Sequence, residues 1–429
     1  MFLEWVNHAG FVLGTGALRL LCDPWLEGTA FNNGWRLLSP TVFGDEDFAT
    51  ITHIWFSHEH PDHFSPPSLK RIPEKYRRRI TVLFRDTKDK RVLNACKQWG
   101  FQTIELPIGP AVNIGGAQLT CGRAGRLDSW LILSAEGKTI LNINDCAFHK
   151  LDAALKEIKK KAGEIDLLLS QFSYANWVGN PGDRASHRLH AERKLQEMRR
   201  QIEIFRPAQF VPFASYIYFS HAENFFMNQE ANRISGVYAH VTNELRTPAI
   251  VLYPGEKWEV GTPKDSAEAI SKYEADFDAA LLRSPDTSPV VALDTLQKAA
   301  ASMIERASKR NNSLLLRTIA PTVVHLSDLN ADIELSYRRG LVPASNRQPD
   351  IITSSDSILY CITTNWGGDT LAINGRYQVP PGANPMRFFR CFRVLAYNDA
   401  GNSFTFTFLG TQAVRKIRAA VAGREVPSP

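Results

Sequence analysis

The stretch Ser57-His58-Glu59-His60-Pro61-Asp62-His63 decides the fold of this chain, because three imidazoles and two carboxylates fall within six positions. The residues before it, Ile51-Thr52-His53-Ile54-Trp55-Phe56, are apolar and β-branched, which predicts a buried strand. Side chains alternate along a strand, so the first two histidines of the stretch are expected on one side. The aspartate and last histidine then lie beyond the proline turn. Imidazole and carboxylate suit zinc, iron or manganese, so the spacing predicts two adjacent metal positions.

Length and composition are those of a globular protein with more than one domain. The chain has 429 residues, 44% hydrophobic and 22% charged, and a formal charge of +6. No apolar run approaches the roughly 20 residues of a membrane span. The basic clusters at 77–79 and 156–161 are interpreted as solvated helix faces, with the steering of an anionic substrate as the alternative. We therefore expect neither a nucleic-acid nor a membrane partner, and the first residues lack the pattern of a signal peptide.

The six cysteines are scattered through the chain without paired spacing. This pattern favours a reducing, cytoplasmic setting over a disulfide framework. It also argues against an iron–sulfur cluster held by this chain.

The order of strand and helix patterns predicts several units. Residues 1–255 alternate strands and helices as in an α/β layered, metal-binding catalytic domain. Residues 256–289 are predicted to form a helical connector. Residues 290–420 form an α+β accessory domain for dimerisation or for covering the site, with one strand expected at 358–363. Residues 421–429 are expected to be a loose tail.

Further candidate ligands follow other strands. His8, in the turn after the first strand, is interpreted either as a histidine at the edge of the core or as a residue beside the metals. Asp23 is expected to accept backbone amides of a neighbouring loop. Asp145 follows a strand and either bridges two metals or caps a helix. His221 is the preferred distant ligand of the second metal, whereas His187 and His190 are expected at the surface.

The loop at 171–177 is the candidate substrate wall, because it is rich in aromatic and hydrogen-bonding groups and precedes a glycine-rich segment. The alternative is an ordinary loop packed by its aromatic rings. The candidate substrate-binding residues are Tyr174, Trp177, Tyr216, Tyr218 and Arg123.

With the stretch from His58 to His63, the early His8-Ala9 turn and Asp145 after a strand, the chain resembles the metallo-β-lactamase-fold superfamily over about residues 1–255. The resemblance implies a four-layer αββα sandwich with a dinuclear metal centre at one edge of the sheets. It assigns His58 and His60 to the first metal, Asp62 and His63 to the second, and Asp145 to a bridge. Within the superfamily, residues 138–146, 211–216, 220–221 and 364–376 resemble CMP-N-acetylneuraminate hydroxylases.

Two departures from these patterns bear on the reaction. The superfamily has a further first-metal histidine in the turn before the Asp145 strand, and the turn at 122–128 has none. Asp128 replaces it, another histidine reaches in, or the first position binds metal weakly. The hydroxylases also draw electrons through a Rieske cluster, and this chain lacks the matching Cys-x-His pair. An oxidative reaction then takes its electrons from a separate protein or from the substrate.

Three functions remain as hypotheses. The favoured one is a non-haem di-iron oxygenase of the hydroxylase type acting on a small organic substrate. The first alternative is a hydrolase of a phosphodiester, ester or amide that uses zinc or manganese. The second alternative is a scaffold with a degenerate site. Asp62 and Asp145 are the candidate catalytic residues, and the expected partners are a small-molecule substrate, an external electron donor and a second copy of the chain.

Overall fold

A computed structural model describes residues 1–148, 152–344 and 346–421. The strands are β1 (Phe2–Asn7), β2 (Gly10–Thr15), β3 (Leu18–Cys22), β4 (Thr29–Ala30), β5 (Trp35–Leu37), β6 (His53–Trp55), β7 (Thr81–Arg85), β8 (Gln102–Leu106), β9 (Ala111–Ile114), β10 (Ala117–Ala124), β11 (Asp128–Ala135), β12 (Lys138–Asn144), β13 (Leu167–Gln171), β14 (Gln209–Phe213), β15 (Ile217–Phe219), β16 (Lys257–Glu259), β17 (Thr322–Leu326), β18 (Ala331–Ser336), β19 (Gly340–Pro343), β20 (Ile351–Thr353) and β21 (Tyr377–Gln378). The helices are α1 (Pro66–Arg71), α2 (Glu74–Arg77), α3 (Arg91–Gln98), α4 (Asp152–Ala162), α5 (Arg184–Phe205), α6 (Ile234–Ala239), α7 (Ala267–Leu281), α8 (Leu293–Arg310), α9 (Ser313–Arg317), α10 (Ser355–Thr363), α11 (Gly367–Asn374), α12 (Met386–Asp399) and α13 (Phe406–Val421).

Two large sheets form the centre of the first half of the chain. Their strand orders are β16-β1-β2-β3-β6-β7-β8 and β14-β13-β12-β11-β10-β9. One apolar core joins the two sheets and includes Leu20 from the first and Leu169 from the second. A separate core packs the other face of the first sheet against α1 and α3, and α4 and α5 contribute to the core on the side of the second sheet. This αββα layering confirms the predicted fold class.

The chain leaves several strands at one edge of the two sheets. Strands β3 and β6 run parallel, as do β12 and β13, so their carboxyl ends point the same way within each sheet. Asp23, directly after β3, accepts the backbone amide of Ser57 at 2.8 Å and the side-chain amide of Asn144 at 2.6 Å. The ends of β3, β6 and β12 therefore meet at one point.

The second half of the chain has a five-stranded sheet in the order β19-β18-β17-β20-β21, packed against α8 and α10–α12. The prediction of a strand at 358–363 is wrong, because these residues belong to helix α10. The hydroxyl of Ser354 accepts the amide of Ser357 and caps the helix, which outweighs the β-branched composition that follows. Strand β16 pairs with β1, beyond the predicted end of the first domain at residue 255. The domain limits themselves stay a prediction, and the tail at 422–429 lies outside the described residues.

The two halves meet at a buried arginine. Arg376 is fully buried and donates to the carbonyl of Asn32 at 2.6 Å and to the carboxylate of Glu223 at 2.8 Å. Nearby, the amide of Asn374 donates to the carbonyl of Phe31 at 2.9 Å. Phe31, Asn32 and Asn33 all have positive φ angles (52°, 54° and 58°), a conformation that persists only where surrounding contacts hold it. The second half of the chain thus fixes a strained loop of the first.

None of the helices in the described part of the chain is long and apolar enough to cross a membrane.

Candidate metal centre

The histidines and aspartates of the first domain converge into three overlapping groups. Each could hold a metal ion, because one ligand atom from every member lies within 4.8 Å of the others. Each group contains two histidines and one carboxylate. The groups are His58, His60 and Asp128; His8, Asp62 and His63; and His58, His63 and Asp145. The third group shares one histidine with each of the others, so Asp145 lies between the two metal positions that the resemblance implies.

Residues behind the cluster orient the histidine rings. The Nδ1–H of His63 donates to Asp23 Oδ2 at 3.1 Å, because a carboxylate can only accept. This leaves Nε2 of His63 free for a metal, which is the usual arrangement around metal-binding histidines. Ser57 Oγ lies 2.9 Å from Nδ1 of His58 and plays the corresponding part there. The predicted amide contact of Asp23 is confirmed, but its contact with His63 could not be inferred from its position in the sequence.

His8 belongs to one of the candidate metal-binding groups rather than only to the edge of the core. Its Nε2 is 3.2 Å from Oδ2 of Asp62, and its ring is almost fully buried. The residue sits in the β1–β2 turn with a positive φ of 41°, and its backbone amide donates to the side chain of Asn7 at 2.9 Å. That turn directs the ring to the loop after β6.

Asp128 occupies the position from which the expected histidine is absent. It is the first residue of β11 and pairs with Ala124 across the hairpin, which brings it into the group with His58 and His60. Burial and the neighbouring Asp145 raise the pKa of Asp128 to about 7. A bound cation would favour the ionised carboxylate, so metal binding at this position releases a proton near neutral pH.

The other candidate ligands shift one another's pKa values through their charges. Burial favours the neutral form of Asp62, but His63 and His8 outweigh it and hold the pKa of Asp62 well below its usual value. Burial likewise opposes the charge of His63, but Asp62 and Asp145 raise the pKa of His63 well above the ordinary value. Burial and the nearby His58 lower the pKa of His60 to about 4. The carboxylates and imidazoles of the loop therefore favour each other's charged forms, and a divalent cation would supply the same positive charge.

The buried polar atoms of the cluster fit a bound cation. Among the described residues, Asp62 Oδ1, His63 Nε2 and Asp145 Oδ1 are buried without a hydrogen-bond partner. Each such atom costs about 1–3 kcal/mol if it stays unsatisfied. Nε2 of His58 lies 2.7 Å from Nδ1 of His60, which is hydrogen-bond distance, so one proton satisfies both ring nitrogens where no cation is bound. A dinuclear metal centre explains all of these features together.

A cavity of about 810 Å³ opens beside the cluster. His60, Asp62, Asp128 and Asp145 line it on the metal side. Other parts of its wall come from the loop after β13, from α5, from Phe31 and from the second half of the chain. These residues include Gln171, Tyr174, Asn176, His190, Arg193, Lys194, Glu197, Arg200, Gln201 and Ile373. The metals would therefore face a space large enough for a small organic molecule.

Of the five residues predicted to bind substrate, Tyr174 lines this cavity, and its hydroxyl donates to the carbonyl of Met227. The structure places the other four elsewhere. Trp177 stacks on Tyr377 in the second half of the chain, with ring centroids 5.0 Å apart. Tyr216 is buried against Tyr273, Tyr218 is buried in β15, and Arg123 is exposed and donates to the carbonyl of Asp86. The aromatic pattern after β14 reflects core packing, which sequence alone does not distinguish from a binding wall.

His221 differs from its prediction as a distant metal ligand, because the structure does not bring it to the cluster. Its Nδ1 accepts the amide of Glu223 at 3.2 Å, and its Nε2 lies 3.2 Å from the hydroxyl of Ser288. Both ring nitrogens thus face protein groups near the joint made by Arg376. The second metal position, to which His221 was assigned, instead has His8 as its third residue beside Asp62 and His63.

The His221→Gln variant is expected to keep its full metal content. It should lose about 1–2 kcal/mol of unfolding free energy, because two hydrogen bonds at the joint are disturbed. Elemental analysis and urea unfolding measure the two effects, with His58→Gln as the control that loses metal. Release of metal from His221→Gln at unchanged fold would restore His221 as a ligand.

A comparison with protein families assigns the amino-terminal part of the chain. Residues 2–125, which include β1 to β10 and the loop from His58 to His63, match the model described as a beta-lactamase superfamily domain. The resemblance drawn from the histidine stretch is therefore confirmed. The match covers less than a third of the chain. The matched segment contains every residue of the three ligand groups except Asp128 and Asp145, which follow in β11 and after β12.

Several curated relatives of the chain are named as hydroxylases. Cytidine monophosphate-N-acetylneuraminic acid hydroxylase of Danio rerio is 25% identical over 244 residues, which cover 53% of this chain and 40% of the relative. That of Cricetulus griseus is 28% identical over 246 residues, covering 53% and 42%. The chain thus spans less than half the length of these relatives. The relatives include enzymes, and the likeness to the hydroxylase catalytic region is confirmed.

Two solved structures illustrate the range of proteins that the chain resembles at lower identity. CmlA, a diiron beta-hydroxylase from Streptomyces venezuelae, is 16% identical with a TM-score of 0.42, and the match covers 60% of this chain and 54% of that one. Isothiocyanate hydrolase from Delia radicum gut bacteria is 14% identical with a TM-score of 0.43, and the match covers 60% and 98%.

Proposed function

We propose that this chain is a metal-dependent enzyme with a dinuclear iron centre, acting as a non-haem oxygenase of the hydroxylase type on a small organic substrate. The observation that carries the proposal is the composition of the three ligand groups. Each combines two histidines with one carboxylate, and Asp128 supplies the carboxylate where the superfamily has a histidine. Two histidines and one carboxylate with open positions are typical of non-haem iron oxygenases.

Different residues of the chain bind the metals, orient the histidine rings and contact the substrate in this function. His58, His60 and Asp128 would hold one iron, His8, Asp62 and His63 the other, and Asp145 both. Two irons bound there would supply the activation of dioxygen. Asp23 and Ser57 keep the histidine rings in their binding orientation through the contacts given above. The substrate binds in the cavity beside Tyr174, and electrons come from an external donor or from the substrate itself.

The hydroxylase names of the curated relatives support this reaction class. Their printed substrate, a cytidine monophosphate-linked sugar acid, belongs to those longer proteins. A hydrolase remains the second candidate, because two histidines and one carboxylate also form catalytic zinc sites. In that reaction Asp145 would take the proton of the attacking water. A scaffold without metal leaves the buried, unpaired carboxylate oxygens unexplained.

Oxygen uptake tests the proposal. Protein loaded with iron under anaerobic conditions and reduced chemically should consume dioxygen when mixed with aerated buffer. The Asp145→Ala variant, treated in the same way, should consume none above the background of free iron. A bound iron centre that takes up no oxygen, together with zinc-loaded or manganese-loaded protein that cleaves an aryl phosphodiester, would establish the hydrolase instead.

A further inference from the structure

One face of helix α5 forms part of the cavity wall. The surface position expected for its two histidines is wrong, because His187 is buried and His190 lines the cavity. His190, Arg193, Lys194, Glu197 and Arg200 all line the cavity, at spacings of three and four residues that place them along one side of the helix. The Nδ1–H of His190 donates to the carbonyl of Ser186 at 2.8 Å, which leaves Nε2 as an acceptor. The wall therefore presents three permanent cations and one carboxylate.

The pairing of the arginines on α5 singles out one of them. Arg184 and Arg188 lie within 3.6 Å of Glu230, Arg199 pairs with Glu244, and Arg200 pairs with Asp152. Arg193 forms no ion pair or hydrogen bond with any residue in the described part of the chain. Among the described residues, Arg193 is thus the arginine of α5 without a carboxylate partner, and it also lines the cavity.

Lys194 adds a second cation next to Arg193. Its ammonium lies 3.1 Å from Glu197, and its side chain is only 15% exposed. Arg193 is exposed although it also lines the cavity, so the two residues place a solvent-accessible guanidinium beside a largely buried ammonium. The wall stays cationic after the pairs with Glu197 and Asp152 are taken into account, because the charge of Arg193 is left over.

We propose that Arg193 and Lys194 form an anion-binding subsite, and that the substrate carries a carboxylate or phosphate group which this subsite holds while another part of the molecule reaches the metal end of the cavity. Guanidinium groups bind such planar or tetrahedral anions through paired, charge-assisted hydrogen bonds. The subsite selects among small organic molecules by charge. The inference rests on the proposed function in that the cavity is taken as the active site, but its test does not need turnover.

Calorimetric titration of the metal-loaded protein with benzoate, phenyl phosphate and benzyl alcohol tests the subsite. The three probes share one ring, so the first two distinguish a carboxylate from a phosphate ligand and the third removes the charge. Arg193→Gln should weaken binding of the favoured anion by about tenfold or more, as expected for the loss of a charge-assisted contact. Lys194→Gln should weaken it in the same direction, and Arg193→Lys should retain most of it.

Arg188→Gln is the matched control, because Arg188 lies on the same helix outside the cavity lining and should change the affinity less than about twofold. Equal affinity of Arg193→Gln and the unmodified chain, equal binding of benzyl alcohol, or no binding of either anion would each overturn the inference. Metal content and oxygen uptake are measured on the same samples. Anion binding without oxygen uptake contradicts the oxygenase alone, whereas oxygen uptake without anion binding contradicts the subsite alone.

Discussion

Replacement of Asp145 by alanine is expected to remove metal from both halves of the cluster. Its Oδ2 lies 3.7 Å from Nε2 of His58 and 3.5 Å from Nε2 of His63, and these histidines belong to the two separate groups. Asp145 also carries the negative charge that compensates two neighbouring cations. Metal affinity should fall by more than the roughly 10–100-fold that loss of an outer-shell residue produces. Elemental analysis after dialysis against a weak chelator measures the effect.

A surface carboxylate provides the control for this variant. Asp45→Ala removes a half-exposed carboxylate that pairs with Arg71 at 3.1 Å. This ion pair involves no residue of the metal-binding groups. It should bind metal as the unmodified chain does. Retention of both metals by Asp145→Ala would contradict the bridging role, and retention of one would assign Asp145 to a single position.

Replacement of Asp128 by histidine is expected to exchange iron for zinc. The substitution turns the group of His58 and His60 into three histidines, a set that is typical of catalytic zinc. It also removes a carboxylate whose pKa is raised to about 7, so binding no longer requires that proton to leave. The zinc-to-iron ratio after growth with both metals should rise about tenfold or more, equivalent to about 1.4 kcal/mol. Oxygen uptake should fall in proportion to the iron lost.

Asp128→Asn separates the effect of charge from that of shape. The amide occupies nearly the same volume but carries no charge, so both metals should bind more weakly without a new preference for zinc. An Asp128→His protein that keeps its iron and its oxygen uptake would contradict the claim that this carboxylate sets the metal.

The sequence predicted the part of the site that lies in one short segment. His58, His60, Asp62 and His63 follow one strand, and their spacing alone places them around two points. Asp145 and Asp128 required the fold, because β11 and β12 bring them to the cluster from more than sixty residues away. The resemblance supplied that fold but left Asp128 as one of three alternatives for the missing histidine, and the structure places it with His58 and His60.

The residues that were misplaced depend on packing between distant elements. His221 follows a strand, as a ligand might be expected to, but the buried Arg376 and its partners hold that loop at the joint between the two halves. Arg193 belongs to a charged helix whose pattern suits any solvated surface, and only the position of α5 beside the metal loop brings its side chain to the cavity. The helix α10 was misread because β-branched residues follow a capping serine, and the cap fixed the outcome.

Metal analysis of the protein purified without oxygen tests the central claim most directly. Cells grown with iron, zinc and manganese at equal supply should yield a chain that contains two iron ions, with the Asp145→Ala variant prepared in parallel containing none. Zinc or manganese in place of iron at the same stoichiometry, or a folded chain without metal, would contradict the di-iron centre.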